Sequence, residues 1–326
     1  MEAGEAQGAR LSHGYRRWCC RQNPDSRFRL WDGTAMVTAK KDRLNSYSDK
    51  DMENIMSSHF ETLRKFAGDV WSMNSHAARV TLWARWSSWN SIALYKIGLK
   101  RPPEEVREAF ANAAREVVTF FDLCWKRREE VARESRPKVE DARSLKDGTL
   151  AVTHSIPFSQ ANVGDYMGGL QFALLGGVWK YRHALASMEQ NTYHCAEGED
   201  NSRELLLRGE IIRLLVRGED NKARELMGPL EKAVCIEGCK YGPGAIRLEE
   251  IRCLIERNKS ILTFLMHAHL EYHKKLAKRG CWRVDPHGLA SFGGLAIARL
   301  ALERGMDLDI QNPYLPLEII RYPLQS

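Results

Sequence analysis

Apolar residues recur along this chain at spacings of three and four, between glycines, prolines and capping side chains, and no stretch shows sustained strand-like alternation. Ser48-x-x-Asp51 reads as a helix start, and Met52, Ile55, Met56, His59, Phe60, Leu63 and Phe66 follow it as one apolar stripe. A second helix is expected from about His76 to Ile97. A third opens at Pro102-Pro103, with Glu104 and Glu105 in its first turn and Val106, Phe110, Ala113, Val117, Phe120, Phe121 and Cys124 along its apolar face. Residues 134–164 are polar and form the longest expected internal loop. A helix over roughly Asp165–Ser187 contains the pairs Gly168-Gly169 and Gly176-Gly177. Each such glycine weakens a helix by about 1 kcal/mol relative to alanine, and close helix packing is the natural compensation.

After an acidic loop at residues 188–201, Glu204–Val216 and Lys222–Val234 predict a helical hairpin turned by Gly218, with Asp220 or Asn221 able to cap its second arm. Leu248–Leu276 reads as one long helix or two in series. The stretch Asp285–Gly305 predicts one further helix, capped by Asp285, opened by Pro286 and ended by Gly305. Small and apolar residues surround it on all sides, which places it in the interior. Its apolar run is too short to span a bilayer and carries Arg299. The expected fold is all-α, a multi-helix bundle or helical-hairpin array around this buried small-residue helix. A basic, loosely ordered arm is expected at residues 1–47 and one helical domain at 48–326, with a sub-division available near 134–164.

Charge sharpens this division. The net charge is +7, but residues 1–50 hold ten Lys/Arg against six Asp/Glu, so they supply +4 and the other 276 residues only +3. The basic balance belongs largely to the arm, and nucleic acid is not the expected partner of the folded body. Eight cysteines are scattered, apart from the adjacent Cys19 and Cys20, and read as reduced core residues. The first thirty residues lack the apolar core of a secretory signal, which places the protein in the cytoplasm.

Candidate chemistry is sparse. His269 and His273, four apart on a helix, can share an ion, with Cys281 or His287 as further ligands. Glu271 lies two residues from each, unlike the base in His-Glu-x-x-His. His269 also falls on the stripe of Leu262, Leu265 and Met266, which favours a packed histidine. Trp83, Trp86 and Trp89 form a stripe that lines either a groove or, more simply, a helix–helix core. No nucleophile elbow, phosphate loop or dinucleotide fingerprint is present. No cofactor and no enzymatic activity are expected.

The segments Asp285-Pro-His-Gly-Leu, Ala298-Arg-Leu-Ala, Arg304-Gly-Met-Asp and Pro313-Tyr-Leu-Pro together resemble the C-terminal part of all-α immunity proteins of bacterial polymorphic toxin systems, closest to the immunity protein 49 family. The resemblance covers about the last third of the chain. It implies a non-enzymatic antitoxin of the cytoplasm that binds a cognate effector toxin, with a nuclease as the implied partner and no membrane association. An acidic set, Glu197, Glu199, Asp200, Glu219 and Asp220, offers a contact for a basic toxin, or is simply a solvated surface. Two other classes stay open: a helical scaffold binding nucleic acid through the arm, and a metal-dependent helical enzyme using His269 and His273.

Overall fold

In a computed structural model, which describes residues 47–127, 162–188, 203–236 and 243–323, ten α-helices and three short 3-10 turns make an all-α fold. The first helix, α1 (Asp49–Lys65), starts where the sequence places it. Ser48 Oγ accepts the Asp51 N–H, and the Asp51 carboxylate accepts the Ser48 N–H in return, a reciprocal cap. α2 (Ser75–Gly98) is capped by Asn74 and α3 (Pro103–Lys126) opens on its proline. The three run antiparallel in turn: Phe60 meets Trp89 at 6.1 Å, and Trp86 meets Phe120 at 5.2 Å.

α4 (Val163–Gly176) lies against α3 and also touches α5 (Trp179–Ala186), α6 (Arg203–Arg217) and α10 (Phe292–Glu303). Its glycines make this possible. A Cβ on Gly169 would sit 2.5 Å from Val117 Cγ1, and one on Gly176 would sit 2.5 Å from the Ala111 backbone nitrogen. Gly177 has a different role. At φ +71° it adopts the left-handed conformation that ends α4, so the single helix expected over Asp165–Ser187 is two. Phe110, Phe172 and Phe292 stack where α3, α4 and α10 meet, with ring separations of 5.1–6.3 Å.

The hairpin of α6 and α7 (Asp220–Ile236) turns at Gly218, whose φ is +76°. α8 (Pro243–Glu256) and α9 (Lys259–Ala277) are the two helices in series, separated by Arg257 at φ +55° and recapped by Asn258.

The stretch Asp285–Gly305 corrects the expectation of one continuous helix. Asp285 Oδ1 accepts the His287 N–H, but the turn it caps is a 3-10 segment, Pro286–Gly288. α10 then restarts behind a second cap, Ser291, whose backbone N–H goes to Tyr314 O at 2.8 Å. That bond draws the backbone out of the helical path. α10 is buried as expected, and Arg299 is its largest buried side chain, at 2% exposure. The guanidinium donates to Ile320 O at 2.6 Å, Tyr322 O at 2.9 Å and Glu303 Oε1 at 2.8 Å, and lies 4.0 Å from the Tyr322 ring. Arg182 of α5 reaches the same Glu303 oxygen at 2.7 Å. No helix among the described residues is long and apolar enough to cross a membrane.

Candidate functional site

The histidines singled out by spacing sit in a polar seam between α8, α9 and α10. His269 Nδ1 lies 2.8 Å from Glu250 Oε1, and its Nε2 lies 3.1 Å from Ser291 Oγ. Glu250 is fully buried, so the His269 ring is held between a buried carboxylate on its Nδ1 side and the serine hydroxyl on its Nε2 side. A carboxylate–imidazole–hydroxyl order also activates serine nucleophiles. Here Ser291 is only 2% exposed, and its oxygen is spent accepting the Gly294 N–H at the start of α10. The relay therefore ties three helices together and presents no hydroxyl to a substrate.

His273, one turn on, packs between Trp282 and Tyr314 with ring separations of 5.3 and 5.1 Å. Burial, and then the neighbouring charges of His269 and His287, lower its pKa to about 4. Its Nε2 is buried without a partner. His287 Nδ1 meets Asp285 Oδ1 at 2.5 Å, and its Nε2 meets the Asn90 amide at 3.3 Å. The imidazole holds the Asp285 carboxyl below the usual range. His269 and His273 thus share a seam but not a coordination sphere: both nitrogens of His269 have protein partners. The Cys281 side chain lies outside the described residues, and among those described no group of three or more His, Cys, Asp or Glu could hold a metal ion.

The acidic candidates divide. Glu197, Glu199 and Asp200 lie outside the described residues. Glu219 pairs with Arg217 and, at 2.7 Å, with Lys222, whose hydrogen bond lowers the Glu219 pKa. Asp220 meets Arg304 at 3.2 Å and Arg257 at 3.7 Å, so it ties the α6–α7 turn to the end of α10.

Exposed apolar side chains are the feature that spacing did not separate from core. The tryptophan stripe of α2 splits three ways. Trp86 is core, Trp89 lines a shallow groove of about 430 Å³ with Phe60, Leu63 and Arg64, and Trp83 stands 57% exposed. Trp71 and Trp179 also reach the surface, but each already carries a cation of its own chain, Lys126 at 4.6 Å and Arg182 at 5.6 Å. α9 is apolar on two sides. Leu262, Met266 and Leu270 are buried, whereas Ile261 and Phe264 are 50% and 55% exposed and Tyr272 lies further along that outer side.

Among known families, a sequence model described as Immunity protein 49 matches residues 99–319, from just after α2 past α10. Neither the curated proteins nor the solved structures contain a match to the chain.

Proposed function

Because the chain belongs to the Immunity protein 49 family, we propose that it is an antitoxin that binds one cognate effector toxin and protects the cell that makes it. The family match, which spans eight of the ten described helices, from just after α2 onward, is the observation that carries this reading. The toxin is a nuclease acting in the cytoplasm, and the antitoxin neutralises it by blocking its active site or the path of substrate to it. The seam of Glu250, His269, His273 and Ser291 supports the same reading, since its polar groups serve helix packing. In this reading the body at residues 48–326 carries the binding activity and the basic arm at 1–47 is an accessory.

Growth rescue tests the proposal. The reading frame adjacent to this gene is expressed inducibly in a naive bacterium, alone and together with this protein. Killing by the neighbour alone, growth when both are made, and recovery of the two as one complex are the expected results. A neighbour that is harmless, or that kills equally in the presence of this protein, refutes the assignment.

A further inference from the structure

We infer that the outer face of α9 is the toxin-docking surface, and that the toxin meets it with an acidic, apolar patch lying beside its nucleic-acid groove. The inference rests on the antitoxin reading above and adds the surface and its chemistry.

The apolar half of the argument is periodicity. Ile261, Phe264, Ala268 and Tyr272 succeed one another at spacings of three, four and four, opposite the buried row Leu262, Met266 and Leu270. A helix apolar on both sides belongs between two partners, and among the described residues α9 packs on α8, α10 and the turns at Gly280–Arg283 and Pro286–Gly288, with Leu262, Met266 and Leu270 as its buried row. From Ile261 to Tyr272 the stripe is about 17 Å long at 1.5 Å per residue. That length suits the apolar centre of an interface burying about 800 Å² per partner. Phe264, the large exposed aromatic at the middle of the stripe, has the character of an anchor residue.

The electrostatic half fixes the partner's chemistry. Between Glu256 and Arg283 the chain carries seven Lys/Arg against two Glu. Of these cations, Arg257 meets Asp220 and Lys274 meets Glu271, while Lys275 and Arg279 are exposed at the end of the stripe. A face with this charge is repelled by the basic groove in which a nuclease holds phosphates, and attracted to an acidic surface. The antitoxin therefore does not imitate nucleic acid. It docks beside the groove and excludes substrate by bulk.

The test uses the full chain co-expressed with the adjacent gene product, followed by purification and surface binding. Phe264→Ala and Ile261→Ala truncate half-exposed side chains on the outer side of α9, and unchanged helical circular dichroism is the check that each variant folds. Each is expected to weaken the complex at least about tenfold. The double reversal Lys275→Glu, Arg279→Glu is expected to slow association about tenfold at low salt, with the difference shrinking as salt rises. Trp83→Ala, at an exposed tryptophan of α2, binds as the wild type does. A wild-type chain that forms no complex refutes the antitoxin reading and this surface with it. A wild-type complex that all three α9 changes leave intact refutes the surface alone, as does loss of binding on Glu197→Lys, Glu199→Lys instead. A free protein that is dimeric through Phe264, or whose α9 variants lose affinity for duplex DNA or phosphatidylserine vesicles, assigns the stripe to another occupant and also overturns the proposal.

Discussion

Glu303 holds two buried guanidiniums at once, and replacing it by glutamine tests how far the core depends on that charge. The change keeps the shape of the side chain, so no cavity forms. What it removes is the countercharge 2.7 Å from Arg182 and 2.8 Å from Arg299, at a carboxylate whose side chain is 9% exposed. Each pair at about 4 Å between charge centres is worth about 4 kcal/mol at an effective dielectric constant of about 20, and most of that only offsets desolvation. Removing the shared partner leaves two cations facing each other without it. Arg299 retains the carbonyls of Ile320 and Tyr322, and Arg182 retains Val216 O. The expected loss is therefore near the middle of the range for a broken buried pair, about 4 kcal/mol. Urea unfolding followed by far-ultraviolet circular dichroism should show a lower midpoint at unchanged slope, and the melting temperature should fall by about 10 °C. Adding Arg182→Gln to Glu303→Gln should cost less than the sum of the two single changes. A Glu303→Gln protein within 1 kcal/mol of the wild type would refute the reasoning, because the carbonyls alone would then suffice for both cations.

Three further outcomes follow from particular contacts. His273 has its pKa lowered to about 4, so the unfolded chain binds the proton more readily between pH 6.5 and 4. Stability should fall as pH drops through that window, by about 3 kcal/mol in all, and His273→Phe should flatten the dependence measured by urea midpoints. Gly176→Ala puts a methyl 2.5 Å from the Ala111 backbone and should cost about 2–3 kcal/mol by the same measurement, despite alanine's better helix propensity. Gly293→Ala, which meets open space, should cost nothing. Burial raises the thiols of Cys124 and Cys253 to about 12 and about 11. Neither should react with iodoacetamide at pH 8 until the protein unfolds, as read by peptide mass spectrometry.

The helices were legible in the sequence because period and punctuation agree: Ser48 with Asp51, Pro102-Pro103 and Gly218 each mark an end that the fold uses. Two boundaries were not legible. The glycine pairs of α4 look alike, yet Gly169 and Gly176 are sites of close approach while Gly177 terminates the helix, and only the neighbouring chain distinguishes them. Asp285 and Pro286 are genuine start signals, but Tyr314, 23 residues on, takes the Ser291 N–H and moves the helix start to Phe292. Of the site, the sequence offered His269 with His273, and Glu219 with Asp220, since these types stand out by chemistry. Their partners Glu250, Ser291, Arg304 and Arg257 are distant in sequence and turn them inward. Ile261 and Phe264 went unnoticed because periodicity shows that a helix has an apolar face, and not whether anything covers it.

The clasp at Arg299 also bears on the order in which the core can close. Its guanidinium closes on carbonyls at residues 320 and 322, and Tyr322 O–H donates to Leu174 O across 148 positions of sequence. Helices made early therefore wait for a segment made late. While the ribosome is still short of Tyr322, α4 and α10 lack the strap that seals their contact, and a buried cation has no acceptors beyond Glu303. The contact between α4 and α10 can therefore close only after the chain has been made as far as Tyr322.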